Sequence, residues 1–285
     1  MDSALTGYHV LDLADEKGVL CSRILAGMGV DVVKIEKPGG DPARDIGPFL
    51  KDIPHPERSL HFWYYNAGKR SITLNLEKSQ GQEIFRELAR TADALIETHE
   101  PGYLEGLGLG YEALSRINPR LIVTSITNFG QTGPRRDSKS CDLVACALGG
   151  QMYICGEPDT PPLKPFGNQA YHAASLFAAI GTLLALWSRH SSGEGQHIDI
   201  SLEESVAATI DHVNIRYLYE RAIARRQGSL HWSGAFRIFQ CKDGYILLSL
   251  FQQWQTLVEW LDSEGMAEDL TGEKWRDHEA RLQGT

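Results

Sequence analysis

Long uninterrupted apolar runs are missing from this sequence. The longest, residues 173–187, is broken by Ser175 and Gly181 and falls short of the roughly 20 residues that a membrane-spanning helix needs. It is expected to form a buried helix, and a membrane is set aside as a partner. A basic surplus is missing too. With Lys and Arg at 28 against Asp and Glu at 37, the formal charge is −9, which repels polyanions and leaves nucleic acid to be met only by a local patch. Nucleic acid is likewise set aside. Residues 1–18 carry acids where a secretory signal needs a basic start followed by an apolar stretch, so a cytoplasmic protein is expected. Cysteine is sparse: Cys21, Cys141, Cys146, Cys155 and Cys241 are odd in number, with no CxxC and no histidine at ligand spacing. That pattern excludes a disulfide framework and a structural zinc, and points to reduced thiols. No repeat and no low-complexity tract interrupts the chain.

What is present is enough apolar content, 42% of 285 residues, for a sizeable core. Residues 8–13 form an apolar run of strand length, residues 18–29 have helical spacing, and residues 30–35 form a second, β-branched run. Together they make a βαβ unit and a parallel sheet with a right-handed crossover. The alternation continues with a strand at 72–76, a helix at 79–91, a strand at 94–97, a short helix at 111–117 and a strand at 121–127. Long helices are expected at 143–152, 170–189 and 202 to about 225, with a strand at 196–201 before the last. Residues 236–251 read as a hairpin around Lys242, Asp243 and Gly244, since an Asp-Gly pair suits a tight turn. The fold class is α/β, with ligands expected beyond the carboxyl ends of the strands. The expected domains are 1–225, large, and 226–285, the start of a smaller one.

Local patterns then occur in a fixed order: VLDL at 10–13, VDVVKIEKPGGDPAR at 30–44, NAGKRSITLNLEKSQG at 66–81, ADALIETHEPG at 92–102, LGLGYEALSRINPRLI at 107–122, TSITNFGQTGP at 124–134, GEPDTPPLK at 156–164 and SSGEGQHIDISLEE at 191–204. In this order they resemble the family III coenzyme A transferases, the group of formyl-CoA and carnitine-CoA transferases and α-methylacyl-CoA racemases. The resemblance implies a Rossmann-like large domain and a small domain in an interlocked dimer. It also implies CoA thioesters and carboxylic acids as substrates, with no tightly bound cofactor. Members of the family run on past residue 285, so the segment that completes the large domain is expected to be missing.

The resemblance also assigns residues. The backbone of Lys17 and Gly18 would approach the ligand, Lys37 would meet the nucleotide portion, Leu74 and Asn75 would flank the adenine, and Lys139 would lie near the phosphates. Other positions depart from the family: Thr98 and His99 stand where relatives have an asparagine and an aromatic residue, and Gly106 where formyl-CoA transferase has an arginine. CoA transfer needs a carboxylate that attacks the thioester and then holds the CoA itself. By alignment that position is Tyr171, and Gln169, Ala170, His172 and Ala173 beside it are not acidic. A phenol titrates near 10. His172 is a candidate general base, and Asp142 is expected to cap the helix it begins. The acid/base positions of the racemases fall on Cys141 and Tyr171. The chain is therefore read as an acyl-CoA:carboxylate CoA-transferase that lacks the family aspartate. The alternative is a catalytically silent subunit or fragment, working as an interaction module or within a heteromer whose partner brings the acid; the expected assembly is a homodimer or a heteromer with a catalytically complete homologue.

Overall fold

The computed structural model describes residues 3–228, 236–249 and 253–277. The chain divides into two units, one of residues 1–151 and 164–221, the other of residues 152–163 and 222–285.

In the first unit six strands form one parallel sheet: β1 (His9–Leu13), β2 (Asp31–Glu36), β3 (Arg70–Thr73), β4 (Ala94–Glu97), β5 (Ile122–Thr127) and β6 (His197–Ser201), in the order β3-β2-β1-β4-β5-β6. Every residue of β4 and β5 is buried, as expected for parallel strands covered on both faces. The helices are α1 (Val19–Gly27), α2 (Leu60–Asn66), α3 (Ser79–Thr91), α4 (Tyr103–Gly106), α5 (Tyr111–Ile117), α6 (Asp142–Leu148), α8 (Gln169–Ser192), α9 (Leu202–Ala208) and α10 (Asp211–Glu220), while α7 (Gln151–Ile154) belongs, but for Gln151, to the second unit. An apolar cluster that includes Leu11, Phe85, Ala89, Leu95, Leu114 and Val123 joins the sheet to α3 and α5.

Helix α8 packs against β5, β6, α1, α6 and α9. Its 24 residues are long and apolar enough to cross a membrane, yet 56% of its most apolar window is buried inside the protein. Arg189 anchors its far end, donating to the Asp93 carboxylate at 2.6 Å and to the Arg120 carbonyl at 2.9 Å. Leu176, Ile180, Leu184 and Trp187 remain exposed along it.

Several expected elements shift for physical reasons. The strand expected at 72–76 lies at Arg70–Thr73, because β2, its only neighbour among the described residues, pairs as far as Glu36. Residues 74–77 are thereby released into a loop. The helix expected at 143–152 is two, α6 and α7, separated at Gly149 and Gly150, the latter at φ +87°. The helix expected from 202 is also two. At its break the Thr209 hydroxyl bonds the Val206 carbonyl at 2.7 Å, a local bond that competes with helix continuation. In the second unit β7 (Phe236–Gln240) pairs antiparallel with β8 (Tyr245–Ser249), followed by α11 (Trp254–Ser263). Residues 250 and 251 of the expected hairpin lie outside the described residues.

One register decides the polar interior of the first unit. Asp12 on β1 is opposite Lys34 on β2, and both are almost wholly buried. Asp12 accepts from the Ala14 N–H at 2.9 Å, the Ser22 hydroxyl at 2.7 Å and the Lys69 ammonium at 2.9 Å. Lys34 donates to the Ala14 carbonyl at 2.8 Å and pairs with Asp41 at 2.7 Å. Burial alone would raise the Asp12 carboxyl, but Lys69, Lys34 and the hydroxyl of Ser22 outweigh it and hold the carboxyl below its usual range.

Removing one partner of a buried pair strands the other charge, at a cost of about 3–5 kcal/mol. Asp12→Ala is expected to lower the unfolding free energy of the chain by that amount in urea titrations monitored by tryptophan fluorescence. A loss under about 1 kcal/mol, the range of an exposed ion pair, would show that the cluster does not hold this end of the sheet.

Candidate functional site

The strand order reverses between β1 and β4, and ligands of open α/β sheets bind beyond the carboxyl ends at such a point. Two cavities occupy that edge. The first, about 420 Å³, is walled by the ends of β1 and β2 and by the loop after β3; Lys37, Leu74, Asn75, His99 and Tyr103 line it. The second, about 230 Å³, is walled by the loop after β1, by residues that follow β4 and β5, and by the 136–140 loop; Glu16, Lys17, Arg136, Lys139 and Tyr171 line it. Asp15 and His99 belong to both walls, so an extended ligand can run from one cavity into the other.

The floor of the first cavity is built from charges that are already paired. Glu36 accepts both Arg44 Nε at 2.7 Å and Nη2 at 2.8 Å, together with the Ser71 hydroxyl and the Asp41 N–H. Burial would raise its carboxyl, but those donors prevail and hold it at about 2. Arg44 also lies over the Phe62 ring, 3.9 Å from its centroid. The turn that brings Asp41 and Arg44 round needs Gly39 and Gly40 at φ +98° and +92°, a region that other residues rarely adopt. Lys37 is exposed at the rim. Across the cavity, Asn75 closes a small turn by accepting the Glu77 N–H at 3.0 Å, and His99 stacks on Tyr103 with centroids 4.6 Å apart.

In the second cavity Lys17 is folded back onto Asp15 at 2.6 Å, while Lys139 is exposed. Arg136 Nε is buried without a hydrogen-bond partner; its contact with Asp137 is 3.7 Å long. Gly18, at the start of α1, lines neither cavity. A Cβ there would come within 2.6 Å of Ile126 and 2.7 Å of Thr98, so the glycine lets α1 begin against β4 and β5. Its neighbour Asp15 is tied to that same Thr98, whose hydroxyl accepts the Asp15 N–H at 2.9 Å.

Tyr171 is buried in the first turn of α8 and its hydroxyl accepts the Asp142 N–H at 3.2 Å. Burial, with the nearby charges of Glu16 and Asp15, pushes the phenol up to about 12 against the bond from Asp142. His172 points elsewhere. It lines neither cavity, is hydrogen-bonded through Nε2 to the Tyr65 hydroxyl at 2.7 Å, and is held below its ordinary value by burial. Asp142 does not cap its own helix, whose N-cap is Cys141. Its carboxylate accepts the Ala170 N–H at 2.8 Å and pairs with Lys164 at 2.5 Å, so it serves the start of α8. An aspartate in the first turn of one helix reads in sequence as that helix's own cap; only the fold shows which helix it faces.

Sheet order and cleft define a doubly wound α/β protein with two adjoining cavities at the switch point. The family model for CoA-transferase family III matches residues 5–284, and the chain belongs to that family. It is 38% identical over 288 residues to subunit BbsE of succinyl-CoA:(R)-benzylsuccinate CoA-transferase from Thauera aromatica, covering 99% of this chain and 70% of that one. It is 39% identical over 246 residues to the beta subunit of succinyl-CoA–L-malate CoA-transferase from Chloroflexus aurantiacus, covering 84% of this chain and 60% of the relative. Among solved structures, a CAIB/BAIF family protein from Brucella suis superposes with a TM-score of 0.87 at 31% identity, over 100% of this chain and 75% of that one.

The sign of the Tyr171 effect fixes a pH window. Because the folded state holds the phenol above its ordinary value of about 10, stability is fully present below that value and is lost as pH rises towards about 12. Tyr171→Phe is expected to remove this alkaline loss. Urea midpoints from about pH 9 to pH 11.5 check it, and parallel pH profiles for the two proteins would refute the assignment.

Proposed function

We propose that the chain binds CoA thioesters along the paired cavities and acts in the transfer of CoA between carboxylic acids. The carrying observation is the two-part cleft at the switch point. Its first cavity takes the nucleotide end, with Lys37 towards the phosphates and Leu74 and Asn75 against the adenine. Its second takes the thioester, with Lys139 and the backbone around Lys17 towards the arm and acyl group. The thioester enters as a substrate rather than as a resident cofactor. No group of three or more His, Cys, Asp or Glu side chains that could hold a metal ion occurs among the described residues. His172 is given no step in the transfer.

The relatives support succinyl-CoA as the donor and a dicarboxylic acid as the acceptor, since both named curated relatives carry those compounds in their names. A dicarboxylate keeps one negative charge after its other end is esterified, and Arg136, with its unsatisfied Nε, is the natural counter-ion in the second cavity. The working form is a dimer with a second copy or a homologous subunit. The exposed apolar residues of α8 and the subunit status of both relatives support that reading. Free cysteines throughout fit a reducing, cytoplasmic setting.

Calorimetry of CoA with the full chain tests the site. Lys37→Glu and Lys139→Glu are each expected to weaken CoA binding about tenfold, or ~1.4 kcal/mol, with folding unchanged by circular dichroism. Affinity unaltered in both variants would sink this placement of the nucleotide and phosphates.

A further inference from the structure

Three cations stand in the wall of the second cavity, Lys17, Arg136 and Lys139, and they are held very differently. Lys139 is exposed and makes no ion pair with any described residue. Arg136 packs over Gly102, where a Cβ would come within 3.3 Å of its Nη2, and faces Asp137 at 3.7 Å. Lys17 is pinned along its whole length. Its N–H donates to one oxygen of Asp15 at 2.9 Å and its ammonium to the other at 2.6 Å. Its carbonyl accepts the hydroxyl of buried Ser175 at 3.3 Å, one helical turn beyond Tyr171 on α8. Asp15 in turn donates its N–H to Thr98, just past the end of β4, at 2.9 Å. The loop after β1, the end of β4 and the first turns of α8 therefore meet at Lys17. An ammonium carries three donors. In Lys69 all three are taken. In Lys17 Asp15 takes one, and the other two have no partner among the described residues although the side chain is only 21% exposed. A fixed cation with donors to spare, shielded from water in a cavity wall, suits an oxygen that gains negative charge during a reaction.

We propose that the Lys17 ammonium holds the carbonyl oxygen of the thioester, with Asp15 as the residue that positions it. This rests on the reading of the second cavity as the place of the thioester. When a carboxylate attacks the thioester carbonyl, a C–O bond forms and the carbonyl π pair moves onto oxygen, where the ammonium holds it. As the carbonyl re-forms, the C–S bond breaks and the thiolate leaves with its electron pair. In the return step the thiolate attacks a carbonyl of the resulting anhydride, and a carboxylate is expelled. Both steps put charge on a carbonyl oxygen, so one cation serves both. Lys17 gives up no proton, and no redox partner is consumed. A donor fixed before the ligand arrives needs no reorganisation during the reaction, and the clamp by Asp15 provides that. The Lys17–Asp15 pair is neutral as a unit, so a free carboxylate is drawn to Arg136 or Lys139 instead, and the spare donors of Lys17 are left to the carbonyl.

The test compares two ligands that differ only at that carbonyl: succinyl-CoA and S-carboxypropyl-CoA, a thioether with a methylene in its place. Calorimetry uses the full chain with any subunit that copurifies, and no acceptor acid. The wild type is expected to bind succinyl-CoA about tenfold more tightly than the thioether, or ~1.4 kcal/mol. Lys17→Met should erase that preference while its affinity for the thioether stays within about twofold, or ~0.4 kcal/mol, which shows the cavity intact. Lys17→Arg should keep part of the preference, and Asp15→Asn, which unclamps the ammonium, should lower it to about threefold. The double variant Asp15→Asn, Lys17→Met should lack it. A preference restored in the double variant would mean that Lys17 only neutralises Asp15, and would overturn the proposal. So would equal binding of the two ligands by the wild type, or a full preference in Lys17→Met or Asp15→Asn. Should Lys17→Met bind neither ligand, the wild type decides by infrared spectroscopy of succinyl-CoA labelled isotopically at the thioester carbonyl. The carbonyl stretch is expected at lower wavenumber in the complex than in water, and an unshifted or raised band would overturn the proposal. A wild type that binds neither ligand would instead remove the reading of the cleft, and this proposal with it.

Discussion

A single buried carboxylate, Asp12, sets the geometry of the ligand edge. Its contacts bring together the end of β1, helix α1 through Ser22 and the residue before β3 through Lys69, and Lys34 opposite it carries the link on to Asp41. These segments are the walls of the first cavity or the struts behind them. Charges with almost no solvent are costly unless each proton and lone pair has a partner. Here the three donors of Lys69 are satisfied by Asp12, the Val19 carbonyl and Asn66. The energy cost of burial becomes a geometric demand: the walls must stand where the partners are.

This division of labour explains how an acidic chain can present a site for an anionic ligand. The buried cations Lys34, Lys69 and Arg44 are neutralised within the framework, whereas Lys37 and Lys139 stand exposed at the cleft and Arg136 faces Asp137 at 3.7 Å. What a ligand meets is the local arrangement of side chains, and the net charge of the whole surface acts only at longer range, where salt screens it.

Much of the fold was legible because parallel strands are short apolar runs separated by amphipathic helices. The helices at 79–91 and 111–117 and the strand at 94–97 fall at their expected bounds. Breaks within helical stretches were not legible: a single Thr209 hydroxyl and a glycine pair at 149–150 interrupt patterns whose apolar spacing carries straight through. At the site, Lys37, Leu74 and Asn75 line one cavity while Lys17, Lys139 and Tyr171 line the next, so segments far apart in sequence meet at this edge. Arg136 escaped notice because nothing in its local sequence distinguishes it from solvated charge. Its place in the cavity wall depends on how the loops after β1 and β5 converge. Lys34 was hidden for the opposite reason, since its one-letter context is that of an apolar strand.

The junction of α6 and α8 carries a last consequence. Ala170 is held by the Asp142 carboxylate, which Lys164 in turn holds, and the contact is made to a backbone N–H rather than to any side chain of α8. The placement of that helix is therefore indifferent to what stands at position 171, provided the side chain fits and offers an acceptor to the Asp142 N–H. The Tyr171 phenol meets the condition by reaching the Asp142 N–H from α8. The start of α8 is thus seated through its backbone, and the side chain at this point can change without the helix being moved.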